Sequence, residues 1–294
     1  MADKTLVLGR TRGFCSVVRA TLATLEKLLS DHPGEPVCVL RELVHNRHVT
    51  AAFEKRGVRF LNDLEELPPG AVLLIGAHGV LPETARRARE LAKLVVDTTC
   101  PMVGARYREA AKLDGGDTLI LLGHSGHPET VGIVGWSGAG TNVVISSAAE
   151  AETVEASGRP VLLTQTTFDA FELERCRKIL ERRFPDLAFR GGVCAASRER
   201  QACVEKLARE VEFVVVAGSP HSSNARRLCE TAERCGARGI LAESAAELPS
   251  ELFSARRVGL TAGASTPDED VDEMLKAFAA AGFAVEEQTA EILV

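Results

Sequence analysis

Short apolar runs that open into polar loops recur along this chain in one order, three times over. Leu6–Leu8 leads to Cys15; Val37–Leu40 opens into Leu43-Val44-His45-Asn46; Val72–Ile75 opens into Gly76-Ala77-His78-Gly79. Leu94–Val96 then leads to Cys100, Thr118–Leu122 to Gly123-His124-Ser125-Gly126-His127-Pro128-Glu129, and Val161–Leu163 to Thr164-Gln165-Thr166-Thr167. The third round has Cys194, then Phe213–Val216 before Gly218-Ser219-Pro220-His221-Ser222-Ser223-Asn224, and Val258–Leu260 before Thr261-Ala262-Gly263-Ala264-Ser265. Runs this short, bounded by Gly and polar residues, predict buried strands. Between them lie amphipathic stretches that predict helices: Pro82–Leu94, Ala170–Phe184 and Arg200–Glu210. Ser16–Ser30 carries Val18, Leu22, Leu25 and Leu29 on the helical period, and Gln201–Glu210 carries Val204, Leu207 and Ala208.

Alternating strand and helix signals predict an α/β protein built of β-α-β units with parallel sheets. The threefold recurrence predicts three similar α/β units in a pseudo-threefold trefoil around a central cluster. The expected units are 1–98 with Cys15, His45 and His78; 99–193 with Cys100, His127, Glu129 and Thr166; and 194–294 with Cys194, Ser222, Asn224, Ser265 and a C-terminal tail. The N-terminal strand and the tail are free to join a neighbouring unit's sheet. Open parallel sheets bind ligands in the loops that leave the carboxyl ends of their strands, which is where every polar loop above falls.

Composition narrows the function classes. The net charge of −6 gives no global basic field for nucleic acid or an anionic membrane. Arg86-Arg87-Ala88-Arg89 and Arg182-Arg183 lie in helical stretches and read as solvated faces. No window approaches the roughly 18–20 apolar residues of a membrane span, and the N-terminus lacks the character of a signal peptide, so a soluble cytoplasmic protein is expected. Reduced thiols follow from that compartment, which disfavours disulfides among the eight cysteines. No Cys-x-x-Cys occurs, so zinc ribbons and ferredoxin spacings fail. Cys15, Cys100 and Cys194 each stand near a strand exit beside Gly, Thr or Pro. Cys38 lies inside an apolar run, and Cys176, Cys203, Cys229 and Cys235 lie in helical stretches, where a buried or partly exposed thiol is the simpler reading.

Three thiolates, one per unit, are one short of a closed zinc site or an ordinary cluster, and would leave one iron of a cubane open. Unrelated buried thiols are the competing reading at this point. The loops supply hydrogen-bond donors: His45, His78, His127, Ser222, Ser223, Asn224 and Ser265. Converging imidazoles, hydroxyls and an amide at helix N-termini suit a phosphate or diphosphate, and no Walker motif is present. His32 and His48 read as surface or structural. Glu129 ends a Gly/His/Pro loop, where a desolvated carboxylic acid can deliver protons near neutrality; capping of the next helix is the alternative. Thr166 and Thr167 could relay or position such a proton.

Taken together, these segments resemble the 4-hydroxy-3-methylbut-2-enyl diphosphate reductase family, also called LytB or IspH. The resemblance rests on Gly13-Phe14-Cys15, Val44-His45-Asn46-Arg47, Ala77-His78-Gly79-Val80, Asp97-Thr98-Thr99-Cys100-Pro101 and Gly123–Glu129. It continues through Thr164-Gln165-Thr166-Thr167, Cys194 with Arg200-Gln201, Ser222-Ser223-Asn224 and Thr261–Ser265, in order over nearly the whole chain. It implies a [4Fe–4S] cluster held by Cys15, Cys100 and Cys194 with one open iron. It also implies reductive removal of the substrate's allylic hydroxyl, with electrons from ferredoxin or flavodoxin, giving isopentenyl and dimethylallyl diphosphates at the end of the non-mevalonate pathway. By the same resemblance Glu129 donates protons, Thr166 orients the hydroxyl and His127 assists, while His45, His78, His127, Ser222, Ser223, Asn224 and Ser265 hold the diphosphate. The chain departs from the family pattern at Ser16-Val17-Val18-Arg19, which is one residue shorter and lacks a Gly, at Ala195 and Ser197, at Pro220-His221, and at Trp136, where Gln is common. The departures leave two alternatives open: a paralogue dehydroxylating a different substrate, and an iron–sulfur sensor without turnover.

Overall fold

Each marked apolar run forms a strand in the computed structural model, which describes residues 4–289. In chain order the strands are β1 (Lys4–Leu8); β2 (Val37–Leu40), β3 (Arg59–Leu61), β4 (Val72–Ile75) and β5 (Leu94–Asp97); then β6 (Asp117–Leu122), β7 (Thr141–Ile145), β8 (Arg159–Thr164) and β9 (Ala188–Phe189). They end with β10 (Phe213–Ala217), β11 (Arg238–Ala242), β12 (Arg257–Ala262) and β13 (Phe283–Glu287). Three parallel sheets result, ordered β3-β2-β4-β5, β7-β6-β8-β9 and β11-β10-β12-β1-β13. The α/β class with three parallel sheets is the one the apolar pattern predicts. β1 lies between β12 and β13, so the chain's first strand completes a sheet made otherwise from its last.

The inner strands are buried on both faces, as parallel sheets covered by helices require. The helices are α1 (Ser16–Asp31), α2 (Arg47–Glu54), α3 (Pro82–Leu91), α4 (Pro101–Ala110), α5 (Pro128–Trp136), α6 (Ala148–Thr153), α7 (Ala170–Arg183), α8 (Ala195–Leu207), α9 (Ser223–Arg234) and α10 (Asp268–Ala280). The stripe that α1 buries is Val18, Thr21, Leu25 and Leu28, one step round from the expected stripe, with Leu22 and Leu29 half-buried. α8 starts earlier than its apolar pattern suggested, directly after Cys194.

The described residues form two compact units. One comprises the residues up to Ser16, His45–Val49 and the residues from Ala195 onward, and contains the five-stranded sheet. There Val214 and Val216 of β10 pack with Val204, Leu207 and Leu228 of α8 and α9, while Val215 faces Met274 and Phe278 of α10. The other comprises Val17–Val44 and Thr50–Cys194 and contains both four-stranded sheets. In it Ile120, Leu122 and Leu162 pack against Cys176 and Leu180 of α7, and Leu119, Leu121 and Leu163 against Val103, Tyr107 and Ile133 of α4 and α5. No helix among the described residues is long and apolar enough to cross a membrane.

The contact of α4 with α5 depends on Gly132. A Cβ at that position would lie 2.1 Å from the Tyr107 hydroxyl. Ala gains roughly 1 kcal/mol of helix propensity over Gly, but overpacking costs about 1–3 kcal/mol, so the clash wins. Gly132→Ala is expected to lower the unfolding free energy by roughly 1–2 kcal/mol, read by urea titration. Gly115→Ala, whose Cβ would meet nothing within 4 Å, serves as the control and stays near wild type.

Candidate active site

Glu129 owes its position to the start of α5. The loop after β6 ends with His127 as the helix cap and Pro128 in the first turn, where its missing N–H costs nothing. His127 Nδ1 accepts the Glu129 N–H at 3.2 Å. In a neutral imidazole the proton then sits on Nε2, which makes that nitrogen a donor. Glu129 itself is 1% exposed. Its Oε1 accepts the Thr166 N–H at 2.6 Å, and its Oε2 lies 2.9 Å from Thr166 Oγ1. Burial pushes its pKa up to about 7, against the opposing pull of the two Thr166 hydrogen bonds and of Arg106. Because the Thr166 amide can only donate, Oε1 must accept, and the proton of the neutral acid falls on Oε2, facing the Thr166 hydroxyl.

Thr166 also reaches the cysteines: its carbonyl accepts the Cys194 N–H at 2.9 Å. Arg106, buried on α4, donates to Thr164 O at 3.3 Å and to Gly192 O at 2.6 Å, so it ties the end of β8 to the segment that carries Cys194. Gly191 has φ +139°, and a Cβ there would lie 2.2 Å from Arg106 Nη1. Cys100 caps α4 after a turn in which Asp97 Oδ1 accepts both the N–H and the hydroxyl of Thr99. Burial raises the Cys100 pKa; the N–H groups of Met102 and Val103 aimed at its sulfur oppose this, and the charges of Cys194 and Glu129 add to it. A bare Cys100 thiolate is disfavoured here, yet its sulfur, the neighbouring Cys194 thiol and the helix amides would be satisfied together by a thiophilic cationic centre. The donor set fits an iron–sulfur group.

His78 follows β4. Tyr107 Oη donates to His78 O at 2.6 Å, and the His78 and His127 rings meet edge to face with centroids 5.7 Å apart. Trp136 stacks on Tyr107 at 5.8 Å and donates its indole N–H to Val80 O at 2.9 Å, so the pair clamps the 78–80 loop from both ends. Gln165, fully buried, accepts the His124 N–H at 3.0 Å and donates to Thr167 Oγ1 at 2.9 Å, which fixes the loop of His127. Arg106, Tyr107 and Gln165 were not singled out as functional in the sequence. The signal for Tyr107 was its rarity, since it is the chain's single tyrosine.

The remaining expected residues belong to the unit with the five-stranded sheet. The Cys15 N–H donates to Ala264 O at 3.2 Å, next to Ser265, and Arg200 Nη2 holds Gly13 O at 2.6 Å. Ser222 caps α9, its Oγ accepting the Ala225 N–H at 3.3 Å. Ser223 and Asn224 are buried in the first turn, and Asn224 Nδ2 is buried with no hydrogen-bond partner among the described residues. A buried amide donor left open at a helix N-terminus is suited to an anion. Asn46, beside His45, caps α2 through the Val49 N–H at 3.0 Å and donates to Asp270 Oδ2 at 2.9 Å. His48 pairs with the other oxygen of Asp270 at 2.9 Å, in keeping with a structural reading.

A sequence model of the family described as LytB protein matches residues 6–279. The 4-hydroxy-3-methylbut-2-enyl diphosphate reductase of Desulfotalea psychrophila is 37% identical over 270 residues, covering 90% of this chain and 86% of the relative. That of Burkholderia pseudomallei is 37% identical over 283 residues, covering 94% and 90%. Among solved structures, the E-1-hydroxy-2-methyl-but-2-enyl-4-diphosphate reductase of Plasmodium falciparum superposes with a TM-score of 0.89 at 24% identity, covering 99% of this chain and 94% of that one; it shows a shared fold. A second, (E)-4-hydroxy-3-methyl-but-2-enyl diphosphate reductase, gives 0.63 at 27% identity, covering 94% and 99%.

The Glu129 environment has a measurable signature. Its folded pKa of about 7 lies above the ordinary 4.5, so the stabilisation from keeping the proton is complete below the lower value and is lost as pH rises through the upper one. Glu129→Gln removes that dependence. From pH 5 to pH 8 the variant is expected to gain on wild type by roughly 1–3 kcal/mol, measured as urea midpoints across the window. Parallel curves would show that Glu129 is not held neutral by burial.

Proposed function

Since the chain belongs to the LytB family, we propose that it is a 4-hydroxy-3-methylbut-2-enyl diphosphate reductase acting at the last step of the non-mevalonate pathway. It would remove the substrate's allylic hydroxyl as water, with two electrons and two protons, giving isopentenyl and dimethylallyl diphosphates. The observation that carries this reading is the buried acid Glu129 held by Thr166, whose own carbonyl holds the Cys194 amide. Bound through Cys15, Cys100 and Cys194, a [4Fe–4S] cluster would supply the electrons and Lewis acidity at its one iron without a cysteine. The three-repeat division at 1–98, 99–193 and 194–294, one thiol from each, is part of the same proposal.

The protein's own groups would move the protons. Glu129 donates from Oε2 to Thr166 Oγ1, and the Thr166 hydroxyl passes its own proton on towards the leaving hydroxyl, which it also orients. A pKa near 7 leaves a large share of the acid protonated at neutral pH and suits it to both giving up and regaining a proton there. His127 assists with its Nε2–H. The diphosphate would be held by Ser222, Ser223, Asn224 and Ser265 with His45, His78 and His127. Support comes from the open Asn224 amide in the first turn of α9 and from the tautomer that α5 imposes on His127. Ferredoxin or flavodoxin would serve as electron donor.

The test is turnover of the diphosphate by anaerobically reconstituted protein with a viologen as reductant. Glu129→Gln should cut kcat by about 10²–10⁴-fold at unchanged iron and sulfide content, and the wild-type rate should fall as pH rises past the pKa of Glu129. A flat profile through neutrality would remove Glu129 from the proton path. Absence of turnover with an intact cluster would point to a different substrate. Stripping the iron should lower Tm, because metal binding adds to folding free energy; equal melting of both forms would argue against the three-cysteine centre.

A further inference from the structure

α3 and α4 leave a groove between them, a cavity of about 410 Å³. Arg89 lines it from α3, Pro101, Gly104, Tyr107 and Arg108 from α4, and Trp136 from the end of α5. Pro101, Gly104 and Arg108 recur at helical intervals, so one face of α4 forms the floor. That helix begins at Cys100, which puts the floor one residue from a sulfur assigned above to the cluster. The aromatic wall is Trp136 stacked on Tyr107. Met102, Leu91 and Leu94 are exposed on the same α3–β5–α4 segment.

Charge is distributed unevenly around this groove. The acids nearby are matched: Glu83 and Glu90 pair with Arg86, Glu65 with Arg87, and Glu109 with Lys112 and Arg190. Asp97, which also lines the groove, accepts the two Thr99 hydrogen bonds. Arg89 and Arg108 are exposed, and neither makes an ion pair among the described residues. On a chain of net charge −6, an acidic protein is repelled in general and drawn to the place where arginines stand unmatched. Aromatic and apolar centres rimmed by arginine are also the composition of protein–protein contact surfaces.

We propose that this groove docks an acidic electron-carrier protein, whose carboxylates engage Arg89 and Arg108 while its redox centre comes to rest beside the start of α4. The proposal rests on the reductase reading, which requires an external reductant. Each hydroxyl removed takes up two electrons and two protons and releases one water, so two molecules of a one-electron carrier are oxidised per turnover. Trp136, a departure from the family pattern, then acquires a role as part of the docking wall, and as the chain's one tryptophan it reports on occupancy.

The experiment uses the reconstituted holoenzyme with two reductants in parallel: a plant-type [2Fe–2S] ferredoxin kept reduced by its NADPH-dependent reductase, and dithionite-reduced methyl viologen. The Arg89→Glu/Arg108→Glu double variant is expected to raise KM for ferredoxin about tenfold or more at low ionic strength, with the viologen-driven rate, iron content and Tm at wild-type values. Added salt should raise the wild-type KM and, by screening the reversed charges, lower that of the variant, so that the two converge. Arg89→Gln/Arg108→Gln, with no reversed charge, should fall between the two. Redox-inert gallium-substituted ferredoxin should alter Trp136 emission in wild type and not in the variants, a readout that needs no turnover and so separates failure of docking from failure of the reductase reading. An unchanged ferredoxin KM in the double variant would overturn the proposal. So would an equal loss of viologen-driven activity, or inorganic diphosphate changing the Trp136 signal as strongly as ferredoxin does.

Discussion

One threonine ties a buried acid to a cysteine-bearing segment. Thr166 gives its amide and hydroxyl to a buried carboxyl and its carbonyl to the amide of Cys194. A carboxyl this deeply buried is costly unless its oxygens are met, and both are met by a single residue of the segment that follows β8. Burial therefore biases the acid towards its neutral form, while the two hydrogen bonds keep it from being held loosely. The positive charge that acts on it through space, Arg106, is itself occupied by backbone carbonyls of the strand end and of the cysteine segment. Proton, hydroxyl and sulfur are positioned by one set of hydrogen bonds, and a change in any of them is felt by the others.

The sequence made the inner strands legible because a parallel sheet buries them on both faces, so β2, β4, β6, β8, β10 and β12 read as unbroken apolar runs. The strands it did not reveal, β3, β7, β9, β11 and β13, all lie at sheet edges. Half-exposed strands such as Arg59-Phe60-Leu61 mix charged with apolar residues and carry no run to detect. The stripe on α1 was misplaced by a step because Thr21, which looks polar, is buried, while Leu22 and Leu29 are only partly covered.

Candidate groups in the loops were readable from residue type and from their place after a strand. The residues that hold those loops were not. Arg106 and Tyr107 look like ordinary members of an amphipathic helix, and only the packing of α4 turns the guanidinium towards Gly192 and the phenol towards His78. Gln165 looked like part of a polar run, yet it is fully buried and holds the loops of His124 and Thr167. Supporting contacts between distant segments leave no periodic trace in a single chain.

The insertion of β1 between β12 and β13 has a consequence for how the protein is made. Leu6, Val7 and Leu8 are translated long before β12 and β13, the strands that flank them. A nascent chain therefore carries this apolar segment unpaired while everything up to β12 is translated, so the sheet closes late in folding. Cys15, directly downstream of that segment and tied by its N–H to Ala264 O, is accordingly set in place only once β12 and the loop after it have been made.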